Sequence, residues 1–563
     1  MSVFIGYPSF MAYQMMKGKK GNNDGFPSIP GMIARYPASG LTNEQMAANP
    51  VWVDKAGNGH DLQLKNFAWK GMSGVGGYTE NYDNDGWYRV PERIDTTWTY
   101  KSFNVKSIKD NKVAQLFYQS RPSDTGFRVL SCTIKVSGLT DGQGIEYVSN
   151  GTQPTVIMRI ENDGIYHLPS FDFGAKNAYY GFKFLKLQES CNITIEQLPL
   201  YPGALVFDGV DDYGICDNFP ILTKEKGYTV VALRQWISMG EGISGLVSNV
   251  KNWFNDGAFV LEYNCNNATN KFVNRPISFG NVNIEKDLPN NFTYQTSKSY
   301  KGVPITTGSF KGTNSLFVGK LNSIIGNCSN VAIWELVFLD HDATEEELTK
   351  IKDYFVKTYP WLFPDQAWTV VGKTNEDTDR ATIANITGNG NNLVLSNFGF
   401  AEGSGYNEEG EHAGYLVTDG VDDKITSSIF EMGKDFTVVG EWTLLQNINV
   451  SSLRKQSSFI IRNNDLGLSL FINRISHPTL IHTKSLRAFC SNGVLYKSDW
   501  TEQIDTAPQD ITSSNSELLI AYNAYNNSEY DKIAFRNLAI YPTVLSKEDC
   551  IKAYNYLQTL KAK

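Results

Sequence analysis

Apolar and polar residues alternate with period two along most of this chain. "LQLKNFAW" (62–69) and "LVLSNFGF" (393–400) put Leu62 and Leu64, or Leu393 and Leu395, on one face and polar residues on the other, which predicts half-buried strands. "YTVVALRQW" (228–236), "FTVVGEWTLL" (436–445) and "SELLIAYN" (516–523) are β-branched or aromatic runs bounded by turn residues, and predict further strands. A helical period emerges at two places. Leu348, Ile351 and Phe355 share one apolar stripe; Ile551, Tyr554 and Leu557 share another. Each stripe follows a hydroxyl residue with an acid three positions on, Thr344 with Glu347 and Ser546 with Asp549, a capping-box-like start.

The pattern occurs twice. "GNGHDLQLKNFAW" at 57–69 matches "GNGNNLVLSNFGF" at 388–400, and "TNE" at 42–44 matches 374–376. "LVFDGVDDY" at 205–213 returns as "LVTDGVDD" at 416–423, and "VAIWELVFLDHDATEEELTKIKDYFV" resembles "IAFRNLAIYPTVLSKEDCIKAYNYL". The offset between copies falls from 331 residues to 211 between Tyr78 and Leu205, so the first copy carries a domain-sized insertion over roughly residues 80–200. The insertion reads as strands ("FRVLSCTIKVSG", "TVIMRIEN", "AYYGFKFLKL", "CNITIEQL") and is expected to form a small β-sandwich. The expected organisation is an N-terminal arm (1–30), sandwich 1 (31–79 plus 201–357), the insert (80–200), a proline-stiffened linker "TYPWLFPDQ" (358–366) and sandwich 2 (367–563).

Composition agrees with β-rich modules: aromatics are 13%, with 48 glycines among 563 residues. The net charge of −8 argues against a sequence-wide nucleic-acid surface. No apolar run reaches the roughly 18 residues of a membrane helix. The N-terminal lysines ("KGKK", 17–20) follow the apolar stretch rather than precede it, so no secretory signal is expected. Seven cysteines, scattered and without a CxxC pair, suggest neither zinc nor a disulfide framework, and a reducing site of synthesis. "PSFMAYQMMKGKKGNNDGFPSIPG" lacks the repeat's pattern and reads either as an anchoring arm that orders on a partner or as a frayed terminus.

The succession "LVFDGVDDY", "YTVV…W", "SLFVG" and an acid-rich closing helix resembles the laminin-G-like, concanavalin A-like lectin modules. The resemblance covers both copies, leaving out the arm and the insert. It implies an all-β chain of tandem concanavalin A-like (laminin-G-like) jelly-roll sandwiches, the first interrupted by the inserted sandwich. That fold hosts lectins, adhesion modules and glycosidases, so it leaves function open. The preface "TNE…GNGHDLQLKNFAW…SGVGGY" is similar to virion proteins of tailed phages of gut Bacteroidetes, including crAss-like phages, where such modules occur on head or tail fibres. This implies a virion protein made in a host cytoplasm, partnered by other virion proteins through its arm, by host or mucosal glycans and by copies of itself, with no membrane insertion. A bacterial surface glycan-binding protein is the alternative, with a glycan-degrading fibre enzyme behind it.

DGVDD has two readings. Asp-Gly turns a hairpin, because glycine accepts positive φ and Asp bonds its own backbone; this is the stronger. The other is a Ca²⁺ site from Asp208, Asp211 and Asp212, and from Asp419, Asp422 and Asp423. Some laminin-G-like modules bind Ca²⁺, but an EF-hand's ligand spacing is absent. GNG marks a turn in both copies, and His60 becomes Asn391, so no shared imidazole chemistry is expected. Glycosidases need two carboxylates across the sugar; "ENYDND", "ERIDTT" and "EKDLPN" each lack the second Glu of the lectin-fold enzymes' motif. Catalysis is not expected. Sugar-binding candidates are rings beside Asn- and Asp-rich loops: Trp253 and Phe254 in "VKNWFNDG", Tyr263 in "LEYNCNN", and Tyr166 in the insert's "DGIYHLPSFDF". Each competes with a role in core packing.

Overall fold

The structure is a computed structural model. It describes residues 24–562 except 89–93, 109–114, 122–126, 151–153, 174–177, 188–189, 223–224, 239–243, 251–258, 266–270, 277–281, 284–290, 305–312, 323–326, 409–411, 447–450, 456–458, 465–466, 473–478, 482–484, 505–512 and 523–529. Among the described residues every strand pairing is antiparallel, in two large sandwiches and one smaller one.

The two large sandwiches match strand for strand. In the first, one sheet runs Val303–Pro304, Ser299–Tyr300, Phe292–Thr296, Thr229–Ser238, Asn330–Leu339, Leu205–Asp208, Gly74–Val75, with Met32–Pro37 also on Asn330–Leu339. In the second the same order is Glu502–Ile504, Val494–Lys497, Ser485–Cys490, Thr437–Leu444, Ile533–Tyr541, Tyr415–Val417, Gly405–Asn407, with Gln366–Thr369 on Ile533–Tyr541. The opposing sheets, of eight strands each, correspond in the same way. Leu62, Leu64, Phe207, Val230 and Phe338 fill the first core; Leu393, Leu395, Val438, Trp442 and Phe535 fill the second.

Alternation marks the peripheral strands: Leu393–Ser396 is buried, exposed, buried, half-buried along its length. The central strands lose it. Ile533–Tyr541 is buried at all nine positions, because one face meets the sandwich core and the other is covered from outside.

That cover is the junction between the sandwiches. Helix α1 (Asn43–Ala48) is a short turn near the start of sandwich 1. Helices α2 (Glu345–Thr358) and α3 (Lys547–Gln558) close the two copies and carry the N-caps expected from the sequence. Thr344 accepts from Glu347 N while the Glu347 side chain accepts from Thr344 N; Ser546 accepts from Asp549 N. Ile351 and Phe355 of α2, Ala553, Tyr554 and Leu557 of α3, Val231 and Trp334 of sandwich 1, and Val439 and Ala539 of sandwich 2 form one buried cluster. The connection between copies lies inside it. Tyr359, Trp361 and Leu362 are buried, Pro360 opens a single 3-10 turn, and the Tyr541 hydroxyl donates to the Trp361 carbonyl at 3.0 Å.

The insertion forms two five-stranded sheets around Tyr82, Trp87, Phe103, Tyr147 and Phe182. Gln197 staples its neck: Oε1 accepts from Thr79 Oγ1 at 2.8 Å and from Glu80 N at 2.9 Å. Residues 24–30, the end of the segment read as an arm, pack on sandwich 1. Asp24 pairs with Arg35 at 2.7 Å, Phe26 meets Tyr354 edge-on and Ile29 is buried. Residues 1–23 lie outside the described residues.

Candidate functional site

The duplicated DGVDD loop is a turn tied into its surroundings in the same way twice. Gly209 and Gly420 take φ of 81° and 77°, a conformation that suits glycine. Val210 N donates to Asp208 Oδ1, and Val421 N to Asp419 Oδ1, both at 2.8 Å. The buried third aspartate reaches back: Asp212 Oδ2 accepts from Asp208 N at 3.1 Å, Asp423 Oδ2 from Asp419 N at 2.8 Å. Its other oxygen takes a serine hydroxyl, Ser73 to Asp212 at 3.0 Å and Ser404 to Asp423 at 3.1 Å. Asn66 and Asn397 donate to the carbonyls of Asp211 and Asp422.

One oxygen of each aspartate lies within 4.8 Å of the others in both loops, so the carboxylates do converge. Ca²⁺ takes about six to eight oxygens at about 2.3–2.6 Å. Here Oδ2 of Asp212 and Asp423 and Oδ1 of Asp208 and Asp419 already accept hydrogen bonds from the turn's own backbone, and Oδ1 of Asp212 and Asp423 from Ser73 and Ser404. Asp211 and Asp422 are exposed at the rim. The donor set suits a turn better than a calcium cage. Burial, with the neighbouring Asp208 charge, pushes the Asp212 carboxyl up to about 7; burial pushes Asp423 up to about 6.

Two buried ion networks were not legible in the sequence. In sandwich 1, Glu262 sits at a bulge in Phe259–Cys265 with φ of 50°. It accepts hydrogen bonds from Arg234 at 2.7 and 2.6 Å, from Trp236 Nε1 at 2.9 Å, from Thr293 Oγ1 at 2.6 Å and from the Tyr300 hydroxyl at 2.8 Å. Burial alone would raise this carboxyl, but the guanidinium and the donated bonds outweigh it and hold it below the usual range. In sandwich 2, Glu441 lies between Arg487 (3.4 Å) and Arg536 (3.8 Å) and accepts from the Tyr415 hydroxyl at 2.8 Å. These partners overcome its burial and bring it down to about 2. His167 of the insert is buried against this group, its ring edge-on to Tyr554. Burial, reinforced by the two arginines, lowers its imidazole to about 3, so the ring is neutral at ordinary pH. Both networks join separate parts of the scaffold.

Of the sugar-binding candidates, Trp253 and Phe254 fall in 251–258, outside the described residues. Tyr263 lies on Phe259–Cys265, its backbone opposite Gly245 and Val273. Tyr166 is half-buried in the insert strand Gly164–Leu168; its hydroxyl donates to the Asn162 carbonyl at 2.7 Å. His60 stacks edge-on against Phe219.

The chain matches no protein-family model and no curated protein. Among solved structures it is similar to Trypanosoma rangeli sialidase at 8% identity, over 88% of this chain and 91% of that one, with a TM-score of 0.24. It is similar to the Botulinum neurotoxin serotype D binding domain at 9% identity, over 60% and 88%, with a TM-score of 0.24. It is also similar to the binding domain of Paraclostridial Mosquitocidal Protein 1 at 14% identity and a TM-score of 0.21, over 33% of this chain and only half of that one. Overlap this slight carries no argument about architecture or activity; the tandem β-sandwich stands on the strand pairings themselves.

Proposed function

We propose that this chain is a non-catalytic glycan-binding component of a phage virion, on a head or tail fibre. The observation that carries the reading is the duplication: two sandwiches share strand order, closing helix and DGVDD turn in one packed body. Repeated weak sites on one body gain avidity without new contacts, which suits adhesion. The concanavalin A-like resemblance supports the glycan; the resemblance to Bacteroidetes phage fibre proteins supports the virion. The commitment of Glu262 and Glu441 to arginines supports a scaffold over an enzyme. On this reading Trp253, Phe254, Tyr263 and Tyr166 are the candidate sugar contacts, the N-terminal segment attaches to other virion proteins, and the chain works as a homo-oligomer. Mass spectrometry of density-purified phage particles tests it. Tens of copies per particle are expected; recovery only from a bacterial envelope fraction would replace it with the surface glycan-binding alternative.

A further inference from the structure

We propose that the inserted sandwich is a hinged module, and that acid frees it from sandwich 2 with His167 as the group that takes up the proton. The proposal is independent of the glycan-binding reading.

The insert joins sandwich 1 through a neck of two adjacent chain segments. Leu200 N donates to the Gly77 carbonyl at 2.9 Å and Tyr201 N to the Gly76 carbonyl at 2.8 Å. Gly76 and Gly77 take φ of 87° and 62°. A few such positions can absorb the rotation of a whole module. Away from the neck, the insert strand Gly164–Leu168 forms one edge of its own sheet and rests on sandwich 2. A β carbon added at Gly164 would stand 3.0 Å from the Asp499 carbonyl oxygen. Ile165 packs against the junction cluster, and the His167 ring meets Tyr554 of α3 edge-on, with centroids 6.1 Å apart.

His167 is 6% exposed. Its Nδ1 shares a hydrogen bond with Thr133 Oγ1 at 3.2 Å, while Nε2 has no hydrogen-bond partner in the structure. The groups of sandwich 2 that face the ring are Glu441 on Thr437–Leu444, Arg487 on Ser485–Cys490, Arg536 on Ile533–Tyr541 and Tyr554 on α3. Tyr415 joins them through its bond to Glu441. Glu441 already answers two guanidiniums, at 3.4 and 3.8 Å. An imidazolium here would be a third cation against one carboxylate, out of water. Burial and the two arginines outweigh Glu441, so the docked ring titrates near 3. Released into water it returns to about 6.5. The released form therefore binds the proton first. Docking is at full strength above about pH 6.5 and weakens as pH falls toward 3, by up to about tenfold per pH unit.

Small-angle X-ray scattering of the full chain between pH 7.5 and pH 4.5, with circular dichroism alongside, tests the hinge. The release constant is expected to be about a hundredfold larger at pH 4.5 than at pH 7.5. The radius of gyration is expected to rise while the β signal is kept, and to return at pH 7.5. Two variants separate hinge from sensor. A β carbon at Gly164 would lie 3.2 Å from that of Asp499, close to the roughly 3.5–4.5 Å that a disulfide spans. A Gly164→Cys, Asp499→Cys disulfide is expected to abolish the expansion, and its reduction to restore it. His167→Gln, which cannot take the proton, is expected to stay compact at both pH values. An unchanged radius down to pH 4.5, or an expansion that tracks loss of the β signal, would overturn the hinge. Expansion of the disulfide-locked chain would do the same. Expansion of His167→Gln with the parent's pH dependence would overturn the assignment of His167.

Discussion

Asn43 and Asn375, the shared residue of the duplicated "TNE", each stand in for a missing strand neighbour. Asn43 accepts from Val75 N at 2.7 Å and donates to Val75 O at 3.2 Å; Asn375 makes the same pair of bonds to Tyr406, both at 2.8 Å. A side chain at Gly74 or Gly405 would collide with the asparagine's Oδ1, which explains the repeated Ser-Gly beside it. Asn375→Ala strips both partners from a buried backbone and is expected to cost roughly 1–3 kcal/mol in denaturant unfolding. The raised carboxyls of Asp212 and Asp423 set a pH dependence. Their folded values lie above the unfolded one near 4, so their stabilising contribution is complete below about pH 4 and is lost as pH rises toward 6–7. Asp212→Asn with Asp423→Asn is expected to flatten that part of the melting-temperature profile; an unchanged slope would show that the carboxyls titrate normally. The sequence displayed these residues as repeats but not their bonds, because the partners sit 31 or 139 positions away. The Glu262 network lacked even the repeat as a signal: the second sandwich builds its ion group on Glu441 instead.

At the scale of elements, the closing helices and the alternating strands were legible because their signals are local: an N-cap three residues from an acid, and a period of two. Thr344→Ala removes the hydroxyl from a complete capping box and is expected to cost about 0.5–2 kcal/mol by thermal or chemical unfolding. Less legible was Met32–Pro37, six residues ("MIARYP") too short to establish a period, which nonetheless extends the central Asn330–Leu339 strand's pairing. The "TYPWLFP" connection looked like a stiff spacer from its prolines, yet its aromatics are the part that matters. Tyr359 and Trp361 are buried between the sandwiches, and their apolar density was the available signal. Arg234→Met removes the guanidinium that faces the buried Glu262, and is expected to cost roughly 3–5 kcal/mol. Adding Glu262→Gln to it should recover a large part of that loss; no recovery would mean that Arg234 acts through packing alone.

Across the whole molecule, the junction of helices, connection and outer sheet faces makes the sandwiches one packed body, and the insert leans on it through His167. That ring is neutral when folded, with a value near 3 against about 6.5 when unfolded. The unfolded chain therefore takes up the proton first, and stability is lost as pH falls from about 6.5 toward 3. Glu441, held near 2, adds a loss in the same direction below about 4.5. His167→Gln is expected to reduce the drop in melting temperature between pH 7 and pH 4.5. Removing Ca²⁺ with EGTA is expected to leave the melting temperature unchanged, since Asp208, Asp212, Asp419 and Asp423 already accept hydrogen bonds from backbone N–H groups and serine hydroxyls; a fall of several degrees, reversed by added Ca²⁺, would restore the metal reading for Asp208, Asp211, Asp212 and their counterparts. The central claim is that this duplicated body binds glycans without cutting them. The most direct measurement immobilises bacterial capsular polysaccharides and records both binding of the full chain and reducing ends released over hours. The account predicts saturable binding with no release. Release of reducing ends, or no binding to any polysaccharide, would contradict it.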